Sequence, residues 1–521
     1  MSQPPAPAST QPLKPEKIQT EIGQIARGAG LGLGGNIYYY FINFLFGILA
    51  ARQIGPEAFG IYMLGVTAVT LLARFAVVGL DRGSLRYVSI KRHEGEGAAV
   101  WQVIWISVSI GLAVSLAVAA ALALYPQYFL ALFRWHDKTA LVRYFPIFAI
   151  ALPLMTMTSI GIAGTQAFRT LRYRALIPNI ILPTTKLLVT LALIALLGVG
   201  PLPPIVGFVT AQSLGGVLSI YFLWRLARKM PRQAAQEPGL LSELMRYSLP
   251  LLLSSVLVYL NGRTEIMVLG IFNHADAAGI YSAALRLAGL SLIVLTAFNA
   301  IFAPVIADLH HRNQIAELGA LFKLVTRWVI MVALPITLVQ ILFPQQLIGL
   351  FGDKFAAGAW SLRLLSLGTF INFSTGAVGI MLLMSGHSRM VMVNSFLTLA
   401  AALGMDFWLI QRYGLNGAAV AGMSSIALVN LLSLGEVWYL LRIHPYDRYT
   451  LRPLMAALPA LLGGWLWARW LPVTNLPRLL LAAVMIAAIY VAVLMLLGWN
   501  EDDRMMMAAL SKRFRRLTKS A

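Results

Sequence analysis

The sequence contains no cysteine and few charged residues. Among its 521 residues, only 12% are Asp, Glu, Lys or Arg, and Cys is absent. The absence of cysteine excludes disulfides, thiolate nucleophiles and cysteine-ligated metal sites. Soluble domains carry about 25% charged residues. The low charge, with 59% hydrophobic residues and a mean hydropathy of +0.75, therefore excludes a soluble enzyme, a nucleic-acid-binding module and a disordered chain.

Acidic residues are scarce as well. Asp and Glu total 20 against 41 Lys and Arg, which gives a formal net charge of +21. In a membrane protein, the meaning of such an excess depends on how the basic residues are divided between the two sides. Residues 1–27 are rich in Pro, Gln, Ser and Thr and lack the apolar core of a signal peptide. We interpret them as a cytoplasmic N-terminal tail.

Long apolar runs make up most of the chain. They predict about 14 transmembrane helices, because about 20 apolar residues cross a bilayer as a helix. The predicted spans are approximately residues 28–50, 58–80, 99–124, 144–166, 175–197, 205–225, 247–270, 279–303, 326–343, 360–384, 391–411, 417–440, 453–471 and 478–498. The runs do not alternate in hydrophobicity as β-barrel strands would. We therefore expect an all-α integral membrane protein.

The basic residues fall mainly on one side of this topology. If both termini are cytoplasmic, 28 of the 41 Lys and Arg lie in cytoplasmic segments, seven lie on the opposite side and six lie within spans. This bias is the positive-inside signal, and it explains most of the net charge without a basic ligand site. The C-terminal run Lys512-Arg513-Phe514-Arg515-Arg516 fits a topology determinant better than an anionic-lipid site.

An internal repeat with an offset of 219 residues divides the chain into similar halves. Gly60-Ile61-Tyr62 recurs as Gly279-Ile280-Tyr281, and a basic turn at 168–172 has a counterpart at 386–389. Each copy holds six spans, an even number, so the repeats are expected to be parallel and related by an axis along the membrane normal. Two such lobes are typical of a transporter that rocks about a central cavity.

The predicted organisation is two six-helix lobes related by pseudo-two-fold symmetry, followed by two C-terminal helices. Its parts are the tail at 1–27, the N-lobe at 28–228, a cytoplasmic linker at 229–246, the C-lobe at 247–441, the thirteenth and fourteenth spans within 442–498, and a basic cytoplasmic tail at 499–521.

Several segments resemble a known family. Residues 50–62 read Ala50-Ala51-Arg52-Gln53-Ile54-Gly55-Pro56-Glu57-Ala58-Phe59-Gly60-Ile61-Tyr62. This is similar to the "AR-x-x-G-P-E-x-F-G-x-Y" signature of Wzx-type polysaccharide and oligosaccharide flippases, in the polysaccharide transporter branch of the multidrug/oligosaccharidyl-lipid/polysaccharide exporter superfamily. Residues 79–87 resemble that family's first cytoplasmic loop, and residues 265–270 resemble its "D-x-x-x-L-G" element with Glu265 in place of Asp.

The resemblance, which covers about residues 20–500, implies a function. It implies a flippase that moves an oligosaccharide on a polyprenyl pyrophosphate from the inner to the outer leaflet of the bacterial cytoplasmic (inner) membrane by alternating access. The product would serve export of a surface polysaccharide such as O-antigen of lipopolysaccharide, capsule or exopolysaccharide. Membrane lipids, a polysaccharide polymerase and glycosyltransferases are the implied partners. We expect no nucleic acid, catalytic residue, cofactor or metal.

Charged residues within apolar spans predict the substrate site. Such charges are costly and normally face a bundle interior or a wet cavity, and a pyrophosphate crossing the bilayer needs compensating cations. The predicted cavity residues are Arg74, Lys186, Arg263, Arg286 and Arg363, with the polar residues Asn36, Asn43 and Tyr259. The alternatives are structural: Arg74 pairing with Asp81, Arg363 reaching the membrane surface, or Asn36 and Asn43 serving helix packing.

Three acidic residues within spans are candidates for ion coupling: Glu265, Asp406 and Glu436. A carboxylate in a low-dielectric site can titrate near neutral pH. We favour the structural alternative for two of them, in which Asp406 pairs with Arg412 and Glu436 pairs with Arg442.

Other functions remain open at this point. A multidrug/cation antiporter of the same superfamily usually has a carboxylate in span one, where this chain has Asn36 and Asn43. Flippases for the peptidoglycan lipid precursor carry basic residues in span one, which are absent here between Arg27 and Arg52. A glycan polymerase would need a larger extracytoplasmic loop than residues 125–143. An ion channel would be more symmetric.

Overall fold

A computed structural model describes residues 15–130, 139–170, 172–230, 237–272, 274–471, 475–498 and 503. Most of the predicted tails, 1–27 and 499–521, therefore lies outside the described residues, including the basic run 512–516. The boundaries of the lobes and of the linker stay predictions.

The described residues form helices and no strand. The α-helices are α1 (Pro15–Ala76), α2 (Leu80–His93), α3 (Gly97–Leu124), α4 (Pro126–Leu130), α5 (Thr139–Ala149), α6 (Ala151–Ala167), α7 (Arg172–Leu176), α8 (Leu182–Leu197), α9 (Leu202–Ala227), α10 (Leu240–Leu260), α11 (Thr264–Ile271), α12 (Ala275–Ala288), α13 (Leu292–His311), α14 (Ile315–Leu342), α15 (Pro344–Gly349), α16 (Ala359–Ser374), α17 (Val378–Met384), α18 (Ser388–Leu441), α19 (Leu451–Trp470) and α20 (Leu476–Leu496). A π-helix covers Ile177–Ile181 and a 3-10 helix covers Asp353–Gly358. The all-α prediction is confirmed.

The helices are long and apolar enough for a multi-pass membrane protein. Within the described ranges, 11 helices pass a test of length and composition, or 12 if Asp353–Ser374 and Val378–Met384 form one bent span. The predicted count of 14 crossings is not confirmed by this number and stays a prediction.

Two of the long helices are folded back on themselves. Gly55, with φ 79° and ψ 172°, interrupts α1, and Gly414, with φ 51° and ψ −124°, interrupts α18. The rings of Phe46 and Tyr62 are 5.7 Å apart, whereas the same positions in a straight helix would be about 24 Å apart. Each of these helices is therefore a hairpin of two arms, and this explains why uninterrupted helices are fewer than apolar runs.

The two halves also break their helices at matching positions. Left-handed backbone recurs in three pairs, at offsets close to that of the sequence repeat. The pairs are Gly95 (φ 79°) with Asn313 (φ 59°), Arg169 (φ 58°) with Gly386 (φ 86°), and Gly198 (φ 83°) with Gly414 (φ 51°). Each residue ends a helix or separates two helical arms, so the duplication is visible in the turns as well as in the tripeptide.

The two copies of the tripeptide pack against each other. A Cβ built on Gly60 would overlap the Ala275 carbonyl oxygen, and a Cβ built on Gly279 would overlap the Pro56 carbonyl oxygen. Pro56 and Ala275 are themselves separated by the repeat offset, so the contact is unchanged when the copies are exchanged. That is the property of a two-fold axis between the lobes. Glycine is required here because two backbones touch.

A second contact joins the lobes at the end of the bundle that carries Arg86, Lys91 and Arg92, which we call the basic face. A Cβ on Gly83 of α2 would overlap the Ser248 hydroxyl of α10. The Arg86 guanidinium lies 4.5 Å from the Tyr247 ring centroid. The lobes therefore touch near the basic face, through α2 and α10, and near the other face, through Gly60 and Gly279.

Lys91 ties the chain between the lobes to the N-lobe. Its Nζ donates to Glu237 Oε1 at 2.6 Å and to Glu96 Oε2 at 2.8 Å, and it lies 3.2 Å from Glu94 Oε2. Glu237 precedes α10, so this cluster holds the predicted linker against the N-lobe. The three carboxylates, Glu237 first, raise the pKa of Lys91 above its usual value. Lys91 in turn lowers the pKa of Glu96.

A buried arginine holds the C-terminal helices on the C-lobe. Arg327 of α14 is 1% exposed. Its Nη1 donates to Asp447 Oδ2 at 2.8 Å, and its Nη2 donates to Asp503 Oδ1 at 2.8 Å. Asp447 lies between α18 and α19, and Asp503 follows α20. Both ends of the α19–α20 pair are thus tied to one guanidinium, which stabilises the packing of this pair outside the repeat.

Candidate functional site

A cavity of about 540 Å³ lies between the two lobes. Both arms of α1 and helices α8, α9, α10, α12 and α13 supply its walls. Three cationic side chains line it, Lys186, Arg263 and Arg286, and none of its described lining residues is Asp or Glu. Tyr62 and Ser282 also line it. These two residues each lie within three positions of Gly60 or Gly279, so the symmetric glycine contact borders one end of this inter-lobe cavity.

Lys186 reaches the cavity because α8 runs parallel to the first arm of α1. Three hydrogen bonds join that arm to α8 and to the π-helix that precedes α8, and both residue numbers increase along the series: Asn36 with Asn179, Tyr38 with Thr184, and Asn43 with Lys186. The Lys186 Nζ donates to Asn43 Oδ1 at 2.6 Å and lies 4.2 Å from the Phe46 ring centroid. Its positive charge is thus held by an amide oxygen and an aromatic face.

Arg286 approaches the same asparagine from the C-lobe. Its Nη1 donates to the backbone oxygen of Asn43 at 3.1 Å, and its Nη2 lies 3.4 Å from Met63 Sδ. Its Nε is buried without a hydrogen-bond partner in the described structure. A Cβ on Gly47 would lie 3.3 Å from Arg286 Cδ, so the absence of a side chain there leaves room for the arginine. Asn43 therefore contacts one cation from each lobe.

Arg263 and Tyr259 form a third part of the wall. Arg263 lies in the turn between α10 and α11, is half-buried, and lines the cavity. The Tyr259 hydroxyl donates to the Thr67 backbone oxygen at 3.0 Å, which joins α10 to the second arm of α1. The predicted residues Asn43, Lys186, Tyr259, Arg263 and Arg286 are thus brought together in one cavity.

The structure places the other three predicted cavity residues outside this wall. Arg74 is exposed, and the described residues show no salt bridge between it and Asp81. Arg363 is exposed and its Nε donates to the Ile341 backbone oxygen at 3.1 Å. Asn36 is engaged with Asn179, at 2.9 Å, and serves the packing of α1 on its neighbour.

Aromatic side chains complete the cavity, and sequence reasoning missed most of them. Tyr39, Tyr62 and Phe208 line it, as does Gln212. A signal for Tyr62 was present, because it is the last residue of the repeated tripeptide. The other aromatic residues lie in apolar runs, where the sequence does not distinguish a cavity-lining ring from one that packs on a neighbouring helix.

Two buried carboxyl groups lie near each other inside the C-lobe, away from the inter-lobe cavity. Glu265 is 5% exposed and Asp406 is 0% exposed. Asp406 lies within electrostatic reach of Glu265 and beside Thr264. A Cβ on Gly422 would lie 3.2 Å from Glu265 Oε1 and would overlap the Tyr281 hydroxyl. We call Glu265 and Asp406 the carboxylate site.

No basic side chain neutralises Asp406 in the described structure. Both of its carboxylate oxygens are buried and lack hydrogen-bond partners there. The favoured pairing with Arg412 does not form, because the Arg412 guanidinium stacks 4.9 Å from the Trp408 ring centroid. The described residues contain no group of three or more His, Asp or Glu that could hold a metal ion.

Glu436 lies apart from the carboxylate site. Its Oε2 accepts a hydrogen bond from Asn394 Nδ2 at 2.6 Å. The predicted partner Arg442 instead lies over the rings of Trp438 and Tyr439, at 5.9 Å and 5.8 Å. The two residues of each proposed acid–base pair are six positions apart in sequence. On a helix this spacing places their side chains about 240° apart around the axis. Neither pair can form on one helix face.

A sequence model of the polysaccharide biosynthesis protein family matches residues 25–310. The chain belongs to this family. The succinoglycan biosynthesis transport protein ExoT of Rhizobium meliloti (strain 1021) is 24% identical over 455 residues, which cover 83% of this chain and 84% of that protein. The resemblance to polysaccharide flippases of the exporter superfamily is thereby confirmed.

Solved structures of two transporter types share the fold. The lipid II flippase MurJ in an inward-closed conformation gives a TM-score of 0.69 at 14% identity, over 88% of this chain and 96% of that chain. An inward-facing multidrug resistance MATE transporter gives 0.63 at 13% identity, over 77% and 94%. These relatives are transporters or flippases rather than enzymes. At such identities the likeness shows the fold alone.

The matched part of this polysaccharide biosynthesis protein contains the whole inter-lobe cavity, since its described lining runs from Tyr39 to Ile293. Glu265 also lies within the match, whereas Asp406 and the α19–α20 pair lie beyond it. The cavity is thus built from the part of the chain that defines the family.

Proposed function

We propose that this protein flips a polyprenyl-pyrophosphate-linked oligosaccharide from the inner to the outer leaflet of the bacterial cytoplasmic membrane, for export of a surface polysaccharide. The observation that carries the proposal is the inter-lobe cavity, which has three cations and no described carboxylate in its wall. The basic face is then cytoplasmic, in agreement with the positive-inside rule.

The charge of the cavity selects an anionic substrate. Unneutralised cations inside a membrane protein are costly, and a pyrophosphate supplies the missing negative charge. Arginine can bind phosphate oxygens with two donors, and the buried Nε of Arg286 is one donor without a partner. Because Lys186 belongs to one lobe and Arg286 to the other, a pyrophosphate between them would bind both lobes at once.

The remaining wall suits a glycan. Tyr39, Tyr40, Tyr62 and Tyr259 line the same space, and tyrosine side chains can provide both apolar contact and hydrogen bonding. A volume of about 540 Å³ is in the range of small-molecule sites, which is roughly 300–1,000 Å³. In our proposal, the glycan occupies this cavity while the polyprenyl tail stays in the lipid.

The two inter-lobe contacts support alternating access as the mechanism that we propose. The glycine contact of Gly60 with Gly279 borders the cavity on the outer side, and the α2–α10 contact lies toward the cytoplasm. In our proposal, these contacts break and form in turn while each lobe moves as a unit. The polymerase and glycosyltransferases that act before and after the flip are proposed partners.

We further propose that the carboxylate site couples transport to an ion. Glu265 and Asp406 are almost fully buried, and two negative charges in such a site require a proton or a metal cation. Arg263 lies within electrostatic reach of Glu265. Thr264 and Tyr281 provide oxygen atoms beside the carboxyl groups.

The decisive experiment is a flipping assay with purified protein in liposomes. A fluorescent polyprenyl-pyrophosphate oligosaccharide would be followed from one leaflet to the other, with and without a pH gradient. Transfer above that of empty liposomes is expected, and a dependence on the gradient would identify the proton as the coupling ion. Dependence on a sodium gradient would identify sodium.

The same liposomes separate the alternatives. Transfer of the peptidoglycan lipid precursor, with no transfer of several polyprenyl-linked oligosaccharides, would move the assignment to that flippase class. Efflux of organic cations without any lipid transfer would move it to the multidrug antiporters. The absence of acidic residues from the described cavity wall argues against the second outcome.

A further inference from the structure

A second cavity, of about 350 Å³, lies at the basic face on the C-lobe. Its walls are the first turns of α14 and the segment that follows α18. None of its lining residues lines the inter-lobe cavity. We call it the basic-face pocket.

The pocket is a built feature of the fold. The chain leaves α18 with Arg442 in a left-handed conformation, at φ 56°. This turn directs Ile443 onto α14, where a Cβ on Gly319 would lie 3.1 Å from Ile443 Cγ2. Further along, Asp447 Oδ1 accepts hydrogen bonds from the backbone N and the hydroxyl of Thr450, at 2.7 Å and 2.8 Å. The segment is therefore held against the helix instead of extending into solvent.

The charge of the pocket is positive and incompletely neutralised. Arg327 forms part of the wall, but the two carboxylates of Asp447 and Asp503 more than offset its single charge. Lys323 is half-buried, and Arg442 and His444 are exposed at the rim. The described residues show no carboxylate within salt-bridge distance of Lys323 or Arg442. Both basic groups are free to bind an anion.

We propose that the basic-face pocket binds the phosphate group of an anionic lipid from the adjacent leaflet. Ile315, Leu324 and Ile443 give the pocket an apolar side, which suits the glycerol and upper acyl region of a lipid better than a fully hydrated ion. Lys323 lies about 12 Å along α14 from its first residue, Ile315, which also lines the pocket. Basic groups beside a membrane surface attract anionic headgroups. This proposal is independent of the proposed substrate.

The test measures lipid retention by the full-length protein. Protein reconstituted in phosphatidylcholine nanodiscs that contain phosphatidylglycerol would be released and analysed by native mass spectrometry. The double variant Lys323→Gln/Arg442→Gln should retain at least about fivefold less phosphatidylglycerol than the wild type. The matched control is Arg246→Gln/Arg389→Gln, which removes two exposed charges predicted on the same face but outside the pocket, and it should retain the wild-type amount.

A steric variant tests the pocket without a change of charge. Ala320 is an exposed residue of the pocket wall, so Ala320→Phe should fill the space and reduce retention even if the charge variant does not fold. Equal losses in the pocket and control double variants, or wild-type retention in Ala320→Phe, would overturn the proposal. Displacement of the lipid by 10 mM inorganic phosphate would show that the pocket recognises phosphate in solution and would overturn the assignment to a lipid.

Discussion

The inter-lobe cavity and the carboxylate site carry opposite charges and differ in access. The cavity is lined by Lys186, Arg263 and Arg286 with no described acidic residue, and it lies between two bodies. The carboxylate site has Glu265 and Asp406 inside one body and closely packed. Each region lacks the charge that the other has. In our proposal, ligands of opposite sign neutralise the two regions.

The two regions are joined by one short turn. Arg263 lines the cavity, and Thr264 and Glu265 belong to the surroundings of the carboxylate site. Successive residues of one turn thus face different sites, because α10 ends at Leu260 and α11 begins at Thr264. Binding of a cation at Glu265 and binding of an anion at Arg263 would act on the same piece of backbone, which is the physical basis for coupling them.

The largest effect is expected from a change that gives the cavity a negative charge. Arg286→Glu should reduce flipping by about 100-fold or more, because it removes a phosphate donor and adds repulsion in a low-dielectric site. Arg363→Glu, at an exposed position outside the cavity, is the matched control and should flip normally. Initial rates in liposomes measure both. Normal flipping by Arg286→Glu would show that the substrate does not depend on the cation of this cavity.

A nearly isosteric change makes the cavity resemble the carboxylate site. Asn43→Asp places a carboxylate 2.6 Å from Lys186, and the ion pair should compete with the pyrophosphate and slow flipping by about tenfold or more. Asn36→Asp, in the same arm of α1 but outside the cavity wall, should have a smaller effect. The comparison between the two regions would fail if Asn36→Asp slowed flipping as much as Asn43→Asp.

Removing the charge of the carboxylate site should change coupling rather than substrate binding. Asp406→Asn should abolish the dependence of flipping on the ion gradient, with a loss of about tenfold in gradient-driven rate. Binding of the lipid-linked oligosaccharide at equilibrium should remain within about twofold of the wild type, because Asp406 does not line the cavity. Glu436→Gln is the control. A gradient dependence that survives in Asp406→Asn would place the coupling ion elsewhere.

The smallest effect on transport is expected from Arg327, whose guanidinium is already bound by two carboxylates. Arg327→Ala should lower the free energy of unfolding by about 3–5 kcal/mol, since it leaves Asp447 and Asp503 without their buried partner. Flipping by the folded fraction should stay near normal. Arg312→Ala breaks an exposed pair with Asp308 and should change stability little. Thermal unfolding in detergent compares the two, and equal shifts would contradict the structural role of Arg327.

The sequence indicates three of the cavity residues because a charged side chain within an apolar span is energetically costly. Lys186, Arg263 and Arg286 are conspicuous because few side chains of that kind occur within such runs. The same reasoning gave Arg74 and Arg363, which lie at exposed positions. A charged residue near the middle of a span is expected to need a partner. Its position in the sequence does not show which face of the helix carries it or which other helix packs on that face.

Contacts between residues that are distant in the chain could not be predicted from the sequence. Arg327 is bound by Asp503, which lies 176 residues away, and no sequence pattern near Arg327 indicates this partner. Asp406 was assigned to Arg412 because the two are neighbours in sequence. The structure instead brings Asp406 to Glu265, an acidic residue, through the packing of α11 on α18.

The contact between Gly60 and Gly279 has a consequence for how the two halves of the chain diverged. After a duplication, each half was free to change wherever it packs only on itself or on lipid. At this contact each copy packs on the backbone of the other copy. A side chain added at either glycine would therefore clash with the corresponding segment of the other half. Glycine is therefore retained at this position of the tripeptide in both halves, because each copy packs on the backbone of the other.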